Sequence, residues 1–78
     1  MTFQCHGVTY SQKQLNQTMR WVISTMRDGY ILMNVRSDDV AAVVAAIKFF
    51  TDARPRVSIA GPDNCVISTK PIPEGQST

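Results

Sequence analysis

The chain has 78 residues, of which 44% are hydrophobic and 18% are charged, and its formal net charge is +2. This length fits one domain, and the apolar fraction excludes disorder over most of the chain. The small net charge does not by itself indicate a nucleic-acid-binding protein, because such domains carry a strong basic cluster. No apolar stretch approaches the roughly 20 residues of a membrane-spanning helix, so no membrane partner is expected.

The N-terminal third predicts a hairpin followed by a helix. Alternating residues on either side of His6-Gly7 indicate two short strands joined by a tight turn, although one bulged strand would give a similar pattern. Ser11 and Gln14 match a capping box, in which each side chain accepts a backbone hydrogen bond from the other residue. Asp28-Gly29 is expected to end this helix. Its predicted core-facing stripe consists of Leu15, Met19, Val22, Ile23 and Met26.

The middle of the chain predicts a strand and a second helix. The nearly continuous apolar run from Tyr30 to Val35 is typical of a central strand. Ser37 is the expected N-cap of the second helix, which runs through Val40 to about Asp52. Arg54-Pro55 then ends the helix, because proline disfavours helical geometry in the residue before it.

Two short strands, Val57–Ala60 and Cys65–Thr69, complete the chain around a run of turn-forming residues. The order β-β-α-β-α-β-β predicts an α+β fold in two layers, with a small antiparallel or mixed sheet and both helices on one face. Residues 1–70 are predicted to form a single domain, and residues 71–78 a flexible tail.

The titratable residues form no recognisable catalytic or metal-binding pattern. His6 is the only histidine, and no spacing of cysteines or carboxylates around it matches a zinc site. Cys5 and His6 are neighbours in an extended segment, so their side chains point to opposite faces and the base could not reach the thiol. The acidic residues lie near helix starts, in turns or in the tail, rather than as a convergent pair. We therefore expect no catalytic residue, no metal and no cofactor.

Cysteine usage also bears on the compartment. Cys5 and Cys65 are too few for the disulfide framework that small secreted domains usually need. The chain also lacks the basic and apolar leader pattern of a signal peptide. The sequence therefore predicts a cytoplasmic protein with structural thiols.

The polar side of the first helix carries the residue types that are most enriched in binding sites. Three basic residues recur every seven positions there, with no acidic residue between Ser11 and Arg27. Trp21 lies off the core stripe, so it either covers an edge of the fold or is an exposed interface anchor. An acidic or phosphate-bearing surface would be attracted to this side. The predicted partner-binding residues are Lys13, Gln17, Arg20, Trp21, Ser24 and Arg27.

The second helix is apolar all round, which indicates burial on every side. One side faces the sheet, and the reverse side has no charged residue. That reverse side must be covered either by the first helix or by a second chain. Its small alanines allow close approach and favour a twofold contact between copies. The predicted homodimer interface is therefore Ala42, Ala45, Ala46 and Phe49.

Four segments of the C-terminal half are similar to a known family. They are Val40–Ala46, Val57–Ala60, Asn64–Val66 and Pro71–Glu74. These segments resemble the C-terminal half of small phage-encoded CRISPR inhibitors, the anti-CRISPR proteins. The resemblance implies a non-enzymatic inhibitor in the cytoplasm of a bacterial host, where it would block a defence complex. It assigns no functional residue.

The charge of the chain departs from one pattern of that family. Many of these inhibitors are acidic mimics of DNA, whereas this chain is mildly basic. The expected partner is therefore a bacterial protein or ribonucleoprotein complex. Two other functions stay open, namely a small nucleic-acid-binding or regulatory module that uses Lys13, Arg20 and Arg27, and a structural subunit of a phage assembly.

Overall fold

The computed structural model describes residues 2–70, so the predicted tail at residues 71–78 lies outside the described residues. The order of elements confirms the predicted α+β fold with the order β-β-α-β-α-β-β. The elements are β1 (Thr2–Cys5), β2 (Val8–Ser11), α1 (Gln12–Ser24), β3 (Leu32–Arg36), a short 3₁₀ helix (Ser37–Asp39), α2 (Val40–Phe50), β4 (Arg56–Gly61) and β5 (Asn64–Ser68). Neither α-helix of the described residues is long and apolar enough to cross a membrane.

β1 and β2 form the predicted tight hairpin. The strands pair in antiparallel register, with Cys5 opposite Val8. The two residues between them, His6 and Gly7, have φ angles of 52° and 79°. Positive φ at both central positions is the geometry that best matches the twist of a two-residue hairpin.

The five strands divide between two antiparallel sheets, with β1 and β2 in one and the order β3-β5-β4 in the other. β5 is therefore the central strand, and the expectation that the Tyr30–Val35 run is central is wrong. Along β3, Met33 and Val35 are buried, whereas Leu32, Asn34 and Arg36 are exposed. The run is apolar on both faces, but the structure buries only one of them.

α1 begins as predicted and ends earlier than predicted. The Ser11 hydroxyl accepts from the Gln14 N–H at 3.2 Å, and the Gln14 side chain accepts from the Ser11 N–H at 2.8 Å, which confirms the capping box. The helix ends at Ser24. Asp28 and Gly29 then form a tight turn with φ angles of 54° and 81°.

The core-facing stripe of α1 is shorter than predicted. Leu15, Met19 and Val22 are buried, whereas Ile23 is 56% exposed and Met26 is also exposed. The prediction that Ile23 and Met26 are core residues is therefore wrong. Ile23 lies at about 100° from Val22 around the helix, which turns it away from the core. Met26 lies beyond the last helical residue, so helical spacing no longer determines its direction.

The start of α2 also differs from the prediction. Ser37 is not its N-cap, because Ser37–Asp39 form the 3₁₀ helix and α2 begins at Val40 with no side-chain cap. The Ser37 N–H instead donates to the Asp63 carbonyl at 2.8 Å, which ties this turn to the β4–β5 hairpin. At the other end, the Thr51 hydroxyl donates to the Ile47 carbonyl at 2.7 Å.

α2 is covered by its own chain. It packs against α1, β1 and β5, and Phe49 meets Phe3 of β1 in an edge-to-face contact. Ala45 and Ala46 have no accessible surface, and Ala42 and Phe49 are half-buried against the core. The prediction of a dimer interface at Ala42, Ala45, Ala46 and Phe49 is therefore wrong for Ala45 and Ala46, which a second copy could not reach, and it stays a prediction for Ala42 and Phe49.

Candidate interaction surface

Five of the six predicted partner-binding residues lie on the exposed side of α1, and the sixth, Arg27, lies just beyond its last residue. We call the six residues together the basic face. All six are exposed: Lys13, Gln17, Arg20, Trp21, Ser24 and Arg27. Burial of Leu15, Met19 and Val22 fixes the rotation of α1 about its axis, and the geometry of about 100° per residue then directs the five side chains within the helix outward.

Trp21 is 41% exposed, so part of its indole is covered by the fold and part is open to solvent. Its indole is partly accessible to a partner and is not a core residue. The Ser24 hydroxyl donates to the Trp21 carbonyl at 2.6 Å, and the Thr25 hydroxyl donates to the Val22 carbonyl at 2.7 Å. The Val22 carbonyl also accepts from the Thr25 N–H at 3.0 Å. These bonds satisfy carbonyls at the helix end, so they stabilise the turn that carries Trp21 and Ser24.

The basic face concentrates the positive charge of the protein. Lys13, Arg20 and Arg27 are three of its eight basic residues, and no acidic residue lies between them. The rest of the chain has five basic and six acidic residues, a formal charge of −1. The α1 side is therefore the part of the molecule that would attract an acidic surface.

A cleft of about 630 Å³ adjoins the basic face at the C-terminal end of α1. We call it the α1–β3 cleft. The turn at Asp28-Gly29 shapes it, because the Arg27 N–H donates to the Tyr30 carbonyl at 3.0 Å and the Tyr30 N–H donates back to the Arg27 carbonyl at 2.9 Å. The cleft is lined by Ser24, Thr25, Met26, Arg27, Asp28, Tyr30, Leu32, Ser68 and Lys70.

Three exposed apolar side chains line this cleft, namely Met26, Tyr30 and Leu32. Sequence reasoning missed them as site residues, because it assigned Met26 to the core and the other two to a central strand. The Asp28-Gly29 pair was the available signal. It is a typical two-residue turn with positive φ, and such a turn reverses the chain and redirects its neighbours as well as ending a helix.

The residues considered for chemistry do not converge in the described part of the chain. Cys5 is buried and Cys65 is half-buried, and both are free thiols. His6 is exposed in the hairpin turn. Among residues 2–70, no group of three or more histidine, cysteine or acidic side chains could hold a metal ion. The expectation that the protein has no catalytic residue and no cofactor stays a prediction.

Comparison with protein families, curated proteins and solved structures finds no match to this chain.

Proposed function

We propose that the protein is a non-enzymatic binding protein that holds an acidic partner protein against the basic face and the α1–β3 cleft. The observation that carries this proposal is the continuity of the two surfaces. Ser24 and Arg27 belong to both of them. A partner that pairs with Arg27 therefore also reaches the exposed apolar groups beside it.

The chemistry of the combined surface favours a protein partner over a nucleic acid. Tyrosine, tryptophan, methionine and arginine are the residue types enriched in protein interfaces, and Trp21, Met26, Tyr30 and Arg27 supply all four. A phosphate backbone would be bound by the cations alone and would leave Met26 and Leu32 exposed. An acidic protein surface with a few apolar side chains would use both parts.

A nucleic-acid-binding module is the second candidate, and one observation supports it. Trp21 and Tyr30 are exposed aromatic residues close in sequence to Arg20 and Arg27. Bases of a single strand can stack on such rings while the arginines contact phosphates. The two candidates differ in whether the apolar lining of the cleft contributes to binding.

The resemblance to phage-encoded CRISPR inhibitors supports a finer form of the proposal. In that form the partner is a protein or ribonucleoprotein complex of bacterial defence, and the protein acts by occupying its surface in the host cytoplasm. A structural role in a phage assembly is the alternative. Expression of the chain in a bacterium with an active CRISPR defence tests the finer form, because an inhibitor restores phage plaques and a structural subunit does not.

Binding measurements on four variants test the general proposal. The protein serves as bait in a bacterial lysate, and affinity for the captured partner is then measured for Arg20→Glu, Arg27→Glu, Leu32→Ala and Arg54→Glu. Arg54 is an exposed arginine outside both surfaces and is the matched control. We expect the first three substitutions to weaken binding and Arg54→Glu to leave it unchanged.

The salt dependence of binding separates the two candidates. If three phosphates of a single strand are neutralised, a fourfold rise in salt should weaken nucleic-acid binding about 20-fold, and Leu32→Ala should have no effect. If the partner is a protein, Leu32→Ala should weaken binding at every salt concentration. Unchanged affinity in both arginine variants and in Leu32→Ala would refute the proposed surface.

A further inference from the structure

We propose that β4 pairs with β4 of a second copy of this chain, so that two three-stranded sheets join into one sheet of six strands. β4 is an edge strand, because the order of the sheet is β3-β5-β4. Its inner side pairs with β5, and no strand of residues 2–70 pairs with its outer side. The outer side therefore presents backbone donors and acceptors that a further strand could use.

Two large apolar side chains of β4 lie beyond the cover of the helices. Val57 is opposite Ile67, and Ile59 is opposite Cys65. Residues that are directly opposite share a face of the sheet, so Val57 and Ile59 are on the same face as the buried Ile67. Yet Val57 is 45% exposed and Ile59 is 86% exposed. The helices cover β5 on this face and leave β4 open.

The centre of β4 lacks the features that normally protect an exposed edge. Natural edge strands use charged residues, prolines or bulges to prevent pairing with other chains. In β4 the only charged residue is Arg56, at its beginning, and the register shift falls between Ile59 and Gly61, at its end. The segment from Val57 to Ile59 has none of these features.

The pattern of β4 suits a second copy because it is self-complementary. A twofold axis perpendicular to the sheet makes the two β4 strands antiparallel and keeps both helix layers on the same side. With the axis at Ser58, Val57 of each copy lies opposite Ile59 of the other. Arg56 lies opposite Ala60, so the two arginines are kept apart. Val57 and Ile59 of the two copies then form one continuous apolar row, and this row covers each Ile59.

The proposed β4–β4 contact lies apart from the basic face and the α1–β3 cleft. The α1–β3 cleft includes Leu32 of β3, which is the opposite edge of the sheet from β4. A dimer through β4 would therefore leave both copies of the cleft accessible. Two identical binding surfaces in one particle increase the avidity for a partner that presents repeated sites.

Sedimentation velocity across the micromolar range tests the proposal with a matched pair of variants. We expect the wild-type chain to dimerise and Ile59→Lys to raise the dimer dissociation constant at least about tenfold, as for a central interface residue. Val8→Lys is the control, since Val8 is 46% exposed and lies in the other sheet. It should leave the dimer intact. Because Ile59 and Val8 are both exposed in the monomer, neither substitution should change the thermal midpoint of the monomer.

Cross-linking checks the register. Ser58 should lie opposite Ser58 of the second copy, so Ser58→Cys should give a covalent dimer with a short thiol-specific cross-linker. Asn34→Cys, which is also exposed but lies on β3, should not. A wild-type monomer across the whole concentration range would overturn the proposal. So would a dimer that Ile59→Lys leaves intact, or cross-linking through Asn34→Cys in place of Ser58→Cys.

Discussion

The rings of Phe3 and Phe49 meet edge to face, with centroids 5.4 Å apart and planes inclined at 71°. This contact joins the first strand to the end of α2 and covers the side of the helix that lacks charged residues. The hairpin at the N-terminus is therefore part of the core structure. A domain of this length buries only about 60% of the surface of its unfolded chain. The apolar surface that the hairpin buries is therefore a substantial part of what stabilises the fold.

Phe49→Glu should unfold the protein and should not simply separate two copies of it. The substitution places a charge against the core, next to Phe3. Phe3→Ala is the milder variant and should lower the free energy of unfolding by about 2 kcal/mol, since Phe3 is half-buried. Urea unfolding followed by circular dichroism measures both losses. If Phe49 lay instead in an intermolecular contact, the loss of stability in Phe49→Glu would depend on protein concentration.

Trp21→Ala should weaken partner binding much more than it weakens folding. The indole is 41% exposed, so its removal should cost less stability than the roughly 3–5 kcal/mol of a fully buried tryptophan. If Trp21 anchors the partner, the loss in binding should be about 2–4 kcal/mol. Isothermal titration beside thermal unfolding measures the two quantities. Ile23→Ala is the control on the same helix. Equal losses of affinity in the two variants would show that Trp21 is not an anchor of the partner.

Ser11→Ala should destabilise the protein by about 1 kcal/mol through loss of the helix cap. For a domain of this size, that change corresponds to a fall of about 4–8 °C in the thermal midpoint. Ser11→Asp should retain most of the stability, because a carboxylate also accepts from the Gln14 N–H and interacts favourably with the helix dipole. Differential scanning calorimetry measures the shift. A midpoint in Ser11→Ala equal to that of the wild type would show that the cap contributes nothing.

Gly29→Ala should cost about 1–2 kcal/mol because Gly29 has a φ angle of +81°, where a Cβ atom is strained. Beyond Gly29 and its two chain neighbours, no atom lies within 4 Å of the added carbon, so backbone strain and not steric contact is the cause. Since this turn shapes the α1–β3 cleft, partner affinity should fall as well. Asp28→Gly is the comparison, because it relieves the positive φ of Asp28 and should be neutral or stabilising. A higher urea midpoint of unfolding for Gly29→Ala than for the wild type would contradict this account.

Features that depend on neighbouring residues could be predicted from the sequence. The His6-Gly7 turn and the Ser11–Gln14 capping box each involve contacts over at most three residues, and both are present. The order of the elements follows from hydrophobic periodicity and turn residues, and it is also confirmed. The outward direction of the basic-face residues within α1 follows in the same way, because a buried apolar stripe fixes the opposite side of a helix.

The tertiary structure alone decided which apolar residues are buried. Hydrophobicity measures what a side chain gains when it leaves water, but it does not say whether another element is available to cover it. Ile23 and Ile59 are exposed because no element of the described chain lies over them, whereas Ala45 and Ala46 are buried because α1, β1 and β5 surround α2. β5 is central because it pairs with strands on both sides. Each of these outcomes depends on contacts between residues far apart in the sequence, which local patterns do not encode.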